Sequence, residues 1–391
     1  LDSDGDPDYY PYQTLYGLGY KNGSEAGAYF TVIANPSLKW ETQISTDIAL
    51  EFGLFDCLTG TIGYFKKDSK DLLFDVSQPA SVGVTSIIQN IGKVTNSGVE
   101  IELDYNAFKN KDWSVSVGAN ATFVKNKIKN LPATMKENGY ISGSKKWLEG
   151  KSIYEFWLRQ WHGVDPQTGD GLYVADVSKY NQGNIGTGDG NITQSQFDEY
   201  KKTVVTIDGK ELTNSYTYAK YDFSGSSIPD VFGGFNVRVS YKNFDLAAVF
   251  SYQLGGQVLD TNYATMMSMT EFGYAQSPDL LKAWKQAGDI TEVPRIDNSA
   301  AHTTNIGQSY STRWLTSSDY LNLRSVTIGY QFPKAWFSKV MLKSARLNLT
   351  AENLFMLKAR QGLNPMANYS GVTYNEYMPS RNITLGLNVS F

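Results

Sequence analysis

The stretch that decides the fold is Arg381-Asn-Ile-Thr-Leu-Gly-Leu-Asn-Val-Ser-Phe391. Its odd-numbered positions from Ile383 onward are apolar, and its even-numbered positions are small or polar. A period of two places the apolar side chains on one face of a β-strand. A strand of a membrane barrel has this pattern, with its apolar face toward lipid. An ordinary strand of a soluble β-protein has it too, so both alternatives stay open from this stretch alone.

The same alternation returns along the chain, at 42–52, 58–65, 99–106, 113–123, 235–241, 244–252, 326–332 and 345–351. In the first of these stretches, Asp47 and Glu51 lie on the face opposite Ile48 and Leu50. Carboxylates are costly in a packed core, whereas a water-filled lumen accommodates them. We therefore predict a lipid-facing set, Leu50, Ile101, Leu349 and Leu387, and a lumen-facing set, Glu51, Glu102 and Thr384.

The connections between these strands alternate in length. Short turns occur at Gly53, Phe108 and Lys242, and long loops at about 125–151, 175–230, 255–317 and 354–378. Such long loops are uncommon in a compact soluble domain, but an outer-membrane barrel has short periplasmic turns and long extracellular loops. We count about nine strands, with a possible extra pair between Lys151 and Asp176. The sequence predicts an all-β protein, an antiparallel transmembrane β-barrel.

Composition narrows the function classes. The chain has 391 residues, of which 14% are aromatic, which fits interfacial aromatic girdles or a carbohydrate-binding β-protein. The net charge of -4 and the scattered basic residues argue against a nucleic-acid partner. No apolar run approaches the roughly 18 residues that a transmembrane helix needs. The single cysteine, Cys57, excludes an internal disulfide.

Metal-binding and catalytic motifs are sparse. Asp2, Asp4 and Asp6 alternate around Gly5, a spacing that calcium loops use because alternate side chains converge on one cation. The simpler interpretation is an acidic solvated loop. We expect no other cofactor. The two histidines, His162 and His302, lie in different loops and outside any recognisable nucleophile motif, so we do not expect an enzyme.

Tryptophans in or beside the long loops are candidate contacts for a substrate or partner, because aromatic faces stack on sugar rings. The alternative for each is packing within the loops or in an aromatic girdle. These candidates are Trp147, Trp157, Trp161, Trp284 and Trp314. The segment from Pro278 to Gly288 predicts a short helix that ends at the glycine.

Several stretches resemble the C-terminal part of the SusC/RagA-like TonB-dependent outer-membrane transporters. They are Asn35-Pro-Ser-Leu-Lys-Trp-Glu41, Asn90-Ile-Gly-Lys-Val-Thr-Asn-Ser-Gly-Val-Glu100, Trp161-His-Gly-Val-Asp-Pro-Gln-Thr-Gly-Asp170, Ser318-Asp-Tyr-Leu-Asn-Leu-Arg-Ser-Val-Thr-Ile-Gly-Tyr330, Ala351-Glu-Asn-Leu-Phe355, Gly362-Leu-Asn-Pro365, and the end from Pro379. The motifs follow the family order over nearly the whole chain. The resemblance implies a barrel of about 22 strands, of which residues 1–391 form the C-terminal portion, with a plug domain outside this chain.

The resemblance also implies a location and partners: the cell outer membrane, a SusD-like surface lipoprotein, the TonB complex, and a dimer of transporter–lipoprotein pairs. The expected activity is TonB-dependent import of a glycan or peptide nutrient. A terminal Phe391 resembles the signal by which outer-membrane proteins are recognised for insertion. Strand parity predicts at least one strand upstream, so we expect a fragment. A passive porin and a soluble carbohydrate-binding β-protein are the alternatives.

Overall fold

The computed structural model describes residues 12–78, 80–84, 86–188, 190–269, 273, 275–308, 310–337, 342–374 and 376–391. Within these residues the main element is a nine-stranded antiparallel sheet in which strands that follow one another in sequence are neighbours in space. Its strands are β1 (Thr42–Leu54), β2 (Leu58–Lys70), β3 (Lys93–Lys109), β4 (Trp113–Asn130), β5 (Val231–Tyr241), β6 (Phe244–Leu254), β7 (Tyr320–Gln331), β8 (Ser344–Lys358) and β9 (Asn382–Ser390).

One face of this sheet is apolar across all nine strands. Paired residues of antiparallel strands point to the same side, and the register pairs Leu50 with Ile62 and Ile62 with Ile101. At the other end of the sheet, Leu349 pairs with Leu385. Leu50 is 65% exposed and Leu385 is 68% exposed. The apolar side chains that the sequence assigns to lipid therefore form a continuous outward surface.

The opposite face of the sheet is polar. Glu51 pairs with Thr61, and Thr61 pairs with Glu102, so both carboxylates lie on this face. Further along the sheet, the hydroxyls of Thr327 and Thr350 are 3.0 Å apart. Thr384 is the partner of Thr350 in the next strand. This face matches the side that the sequence predicts to meet water.

Short turns and long connections lie on opposite rims of the sheet. The turns at 55–57, 110–112 and 242–243 and the segment 332–343 join strands on one rim. Phe55, Asp56 and Lys242 have positive φ values, as tight β-hairpins with a matching twist require. The connections at 71–92, 131–230, 255–319 and 359–381 lie on the other rim. The predicted alternation is present, with one connection, 71–92, that the sequence analysis did not identify.

The strands are longer than their apolar patterns. The sequence places the end of one strand near Lys125, whereas β4 continues to Asn130. Beyond the apolar belt the strands carry mostly polar side chains, and Ile128 of β4 packs into a buried cluster with Leu131, so side-chain alternation no longer reports the pairing. There, Lys66 and Lys93 flank Asp68 at 3.5 and 3.4 Å.

The possible extra strand pair between Lys151 and Asp176 is wrong as part of the main sheet. The strands Glu155–Arg159, Trp161–Val164 and Gly171–Val174 exist, but they belong to two smaller sheets outside it. Each has four or five residues, fewer than the roughly 9–11 that a membrane-spanning strand needs. The whole of 131–230 is therefore one connection between β4 and β5.

The long connections carry their own secondary structure. One small sheet has the order Tyr221–Ser226, Glu155–Arg159, Lys145–Trp147, Tyr140–Ser142, and the other has Trp161–Val164, Gly171–Val174, Lys210–Thr213, Val204–Ile207. Two-stranded pairs are Leu15–Asn22 with Glu25–Val32, Leu73–Ser77 with Ser86–Asn90, and Gln257–Leu259 with Leu315–Ser317. The helices are α1 (Gln194–Thr203), α2 (Thr261–Met266) and α3 (Ala300–Ile306), and the 3₁₀ turns are Ala80–Val82, Ala133–Met135, Gln182–Asn184, Tyr216–Tyr218, Pro278–Lys282, Thr312–Trp314 and Lys334–Phe337.

We call 131–230, 255–319 and 359–381 together the loop domain, because these three connections share a hydrophobic core. Phe156, Leu259, Trp314 and Val372 belong to one buried cluster that draws on all three. The phenol of Tyr173 donates to the carbonyl of Asn305 at 2.7 Å across the same boundary. The loops are therefore a packed unit on one rim of the sheet.

Two helical details differ from the sequence interpretation. The predicted helix from Pro278 to Gly288 is a 3₁₀ turn that ends at Lys282, after Ser277 caps its first turn through the N–H of Asp279. Conversely, α1 was not predicted, although Thr193 and Gln196 form a complete capping box at its start. None of the helices in the described ranges combines the length and apolar character needed to cross a bilayer.

Candidate functional site

The five candidate tryptophans have different surroundings. Trp147 packs edge-on against Phe74, with ring centroids 5.8 Å apart, and against Tyr140 at 5.3 Å. It also borders the small buried cluster that contains Ile128 and Leu131. Trp147 thus fastens the loop domain to the top of β4.

Trp157 is partly buried in the strand Glu155–Arg159. Its ring stacks on Tyr221 at 6.2 Å and meets Phe223 at 4.9 Å. The ammonium of Lys146 lies 4.0 Å from the ring centroid. Protein groups therefore occupy much of the surface that a sugar ring would use.

Trp284 anchors the turn Asp165–Asp170. Its indole Nε1 donates to the carbonyl of Pro166 at 2.9 Å. A Cβ at Gly169, where φ is 73°, would meet the indole ring. The glycine allows this close approach, so Trp284 contributes to the packing of the turn.

Trp314 is 2% exposed and belongs to the core of the loop domain. Its Nε1 donates to the carbonyl of Gln308 at 2.9 Å, and its ring meets Tyr263 edge-on at 5.9 Å. So little of the side chain is accessible that it offers no open platform.

Trp161 and Trp314 both lie against the guanidinium of Arg313. The Cζ atom of Arg313 is 4.7 Å from the Trp161 ring and 4.3 Å from the Trp314 ring. The backbone N–H of Trp161 donates to the hydroxyl of Thr312 at 2.9 Å, which holds the two segments together. Such contacts between a guanidinium and an indole ring are attractive. They fix the plane of the Arg313 side chain.

Arg313 lies on the wall of a cavity of about 340 Å³, within the size range of small-molecule sites. The lining also includes His162 and Glu292, which are exposed, and Tyr263, Thr291 and Trp161. Burial lowers the pKa of Arg313 to about 10, so the guanidinium remains charged at neutral pH. Nη1 of Arg313 donates to the carbonyl of Ile306 at 3.0 Å.

A second cavity, of about 630 Å³, contains a charge cluster that is already paired. Arg295 binds Asp170 at 3.0 Å through Nε and also pairs with Asp297. His302, which is 7% exposed, donates from Nε2 to the carbonyl of Arg295 at 2.9 Å. His162 and His302 therefore line different cavities.

The remaining candidates from the sequence are the three aspartates near its start and Phe391. Asp2, Asp4 and Asp6 lie outside the described residues, and a calcium ion there stays a prediction. Within the residues that are described, no three His, Cys, Asp or Glu side chains cluster as metal ligands. Phe391 follows β9 and is 76% exposed, beyond Val389, whose partner in β8 is Ala345.

Sequence reasoning missed Arg313. Its neighbour Trp314 was a candidate, but the arginine itself was not. Its other ring partner, Trp161, is far away in sequence, and only the folded loop domain brings the two segments together. The adjacent Arg-Trp pair was the one local signal available.

Comparisons with known proteins agree with this architecture. The family profile described as "TonB dependent receptor-like, beta-barrel" matches residues 6–354. TonB-dependent receptor P3 of Formosa agariphila is 28% identical over 99% of this chain and 38% of its own length. TonB-dependent receptor SusC of Bacteroides thetaiotaomicron is 26% identical over 91% of this chain and 32% of its own. The chain thus spans well under half the length of these relatives.

Among solved structures, the RagAB peptide importer in its "closed-closed" state superposes with a TM-score of 0.75 at 25% identity. The match covers 98% of this chain and 39% of that one. The family profile and the names of the relatives identify a TonB-dependent receptor β-barrel, and the superposition agrees with the fold described above. The chain belongs to the TonB-dependent receptor-like β-barrel family, with SusC and RagA as relatives, and forms part of a barrel of the outer membrane.

Proposed function

We propose that the whole protein imports a glycan or peptide nutrient across the outer membrane, with energy delivered through TonB and with a SusD-like lipoprotein at its outer surface. The observation that carries the proposal is the pairing of a two-faced barrel sheet with a packed loop domain on one rim. The apolar face meets lipid and the polar face lines the path. The loop domain supplies the outer entrance.

The names of the relatives support the coupling and the cargo. The matched proteins are named TonB-dependent receptors, one of them SusC. The superposed structure is described as a peptide importer, which favours a peptide over a glycan. On the family resemblance, we expect the plug and the segment that contacts TonB to lie outside residues 1–391.

A growth assay tests the proposed import function. A strain in which the gene is disrupted should grow normally on simple sugars and amino acids, and fail on one oligosaccharide or peptide from a panel. Complementation with the full-length gene should restore that growth. Normal growth of the disrupted strain on every member of the panel would overturn the import function.

We place the lipoprotein on the loops 175–230 and 255–317. Leu281, Ile290 and Ile296 in the second loop are 79%, 97% and 67% exposed, and a lipoprotein docked there would remove these apolar side chains from water. A stable interface buries at least about 1,000 Å², which these two loops can supply.

Replacing Leu281 and Ile290 by aspartate should release the lipoprotein in a pull-down from solubilised membranes. Leu73→Asp is the matched control, because Leu73 is 49% exposed but lies in a different connection. Recovery of the lipoprotein at normal yield with the double variant would rule out this docking surface.

We assign Phe391 to assembly. Its exposed ring continues the outward apolar series of β9. Phe391→Ala should lower the amount of protein in the outer membrane while the inserted molecules remain functional. Normal abundance of the variant would remove the assignment.

A further inference from the structure

We infer that the cavity beside Arg313 binds a carboxylate of the imported nutrient, with the Arg313 guanidinium as its recognition group. This inference rests on the proposed import function and names the chemistry of its substrate. A carboxylate of this kind is present at the end of a peptide and on the uronic acids of an acidic glycan.

The positive charge of Arg313 has no anionic partner among the residues that the structure describes. Within the described part of the chain, Arg313 forms no ion pair, and its one hydrogen bond goes from Nη1 to the neutral carbonyl of Ile306. A cation in crowded surroundings normally has an anionic partner, because desolvating it is costly. Burial has lowered the pKa of this group, which is the expected sign of that cost. An anion from outside would supply the missing partner.

The Arg313 guanidinium also has a fixed orientation. The two indole rings contact the guanidinium at 4.7 and 4.3 Å, so its orientation is held before any ligand arrives. Nε and Nη2 have no hydrogen-bond partner among the described residues, and neither atom is fully buried. The free N–H groups of a guanidinium lie in its plane and match the two oxygens of a carboxylate.

Two other arginines that line cavities, Arg295 and Arg360, differ from Arg313 because each lies beside an acid. Arg295 is held by Asp170 and Asp297, and Arg360 contacts Asp260 at 3.4 Å. Each of these guanidinium groups faces a carboxylate of the protein, although Nη1 of Arg360 is buried without a hydrogen-bond partner. Arg313 differs from both, although the walls around it include the acid Glu292, which is exposed. Glu292 offers an acceptor for an ammonium or hydroxyl group on the same ligand.

Two other cavities among the described residues do not provide such a site. The apolar groove lined by Phe235, Tyr252, Leu254 and Leu321 opens on the outward face of the sheet, where lipid covers it. The groove lined by Glu51, Glu102 and Asp104 on the polar face is acidic and repels a carboxylate.

The test measures binding by calorimetry to the full-length transporter purified with its lipoprotein. One pair of probes is an oligoalanine peptide with a free carboxyl end and the same peptide with a carboxamide end. The other pair is a galacturonic-acid oligosaccharide and a neutral galactose oligosaccharide of equal length. We expect one pair to show at least about tenfold tighter binding of its acidic member, as a charge-assisted hydrogen-bond pair provides. The pair that discriminates identifies the source of the carboxylate.

Arg313→Gln should abolish this preference while binding of the neutral member changes little. Arg313→Lys keeps the positive charge but lacks the planar guanidinium, so it should retain part of the preference for the acidic probe. Partial retention would also show that a change at this position does not simply unfold the site. Arg381→Gln, at an exposed position outside the cavity, is the control and should keep the full preference. Equal binding of both members of each pair by the wild type, or a preference that persists in Arg313→Gln, would overturn the inference.

Growth of the disrupted strain, together with the binding measurement, separates the two proposals. If growth shows that a peptide or glycan is imported but acidic and neutral probes bind with equal affinity, only the Arg313 assignment fails. If the disrupted strain shows no growth defect on any nutrient, the import function itself fails.

Discussion

The carboxylate of Asp245 on β6 and the guanidinium of Arg346 on β8 form an ion pair of 2.6 Å across the intervening strand β7. Gly329 of β7 pairs with Asp245 on one side and Asn348 on the other. A Cβ at Gly329 would meet atoms of both charged side chains. The missing side chain lets two strands that are not neighbours interact over the polar face of the barrel.

A double-mutant cycle of Asp245→Asn and Arg346→Gln should give a coupling free energy of about 0.5–1 kcal/mol. The value is modest because the side chains are 29% and 38% exposed, and it should fall as salt screens the pair. Urea unfolding of the full-length protein in detergent measures it. Gly329→Ala should reduce the coupling by displacing the guanidinium. A coupling unchanged by that substitution would contradict the bridging geometry.

Leu349→Arg should lower the free energy of unfolding in lipid vesicles by roughly 2–4 kcal/mol, because it places a charge on the lipid-facing side. Thr384→Asn is the matched control on the polar face of the adjacent strand, and it should stay within about 0.5 kcal/mol of the wild type. Equal losses at both positions would mean that both faces of the sheet are buried.

Trp314→Ala should open the loop domain, because removing a buried tryptophan from a core costs about 3–5 kcal/mol. Hydrogen exchange at the amides of Phe156 and Leu259, which share its cluster, measures the loss locally. Trp40→Ala is the control, since Trp40 is 93% exposed. If Trp314→Ala weakened nutrient binding without faster exchange, its role would be contact rather than packing.

The free energy of unfolding of the loop domain should rise from neutral to alkaline pH because Lys145 loses its proton in the folded chain. Burial lowers the pKa of Lys145 from 10.5 to about 7, against the opposing charge of Glu155. Its ammonium lies 3.1 Å from the Phe156 ring centroid and donates to the carbonyl of Tyr154. Between these two pKa values the unfolded chain holds a proton that the folded chain has released, so the free energy of unfolding rises with pH in that window.

Lys145→Met should remove this slope. Hydrogen exchange of the loop domain from about pH 6 to about pH 9, corrected for the intrinsic exchange rate, measures it. Lys202→Met on α1 is the control, because the Lys202 side chain is 74% exposed. A slope that is equal in wild type and Lys145→Met would show that another group carries the pH dependence.

The sequence by itself determined the barrel sheet. All nine strands of the main sheet were predicted, because period-two alternation and tight hairpins are local properties of the backbone. The directions in which Leu50 and Glu51 point followed from the same pattern. The family resemblance came from motifs that lie partly on those strands and partly in the connections between them. The pattern could not give strand length, since pairing continues through Lys66 and Lys93, where the alternation of apolar and polar side chains has ended.

Tertiary structure alone decided the loop domain and the candidate site. Glu155–Arg159 is a short strand, and its Phe156 and Leu158 are fully buried in the core that the loop segments share. Trp161 and Arg313 meet because Thr312 accepts a hydrogen bond from a residue 151 positions earlier. No local period encodes contacts of that separation. They arise when three long connections bury one common core, and only the folded chain shows which side chains that core brings together.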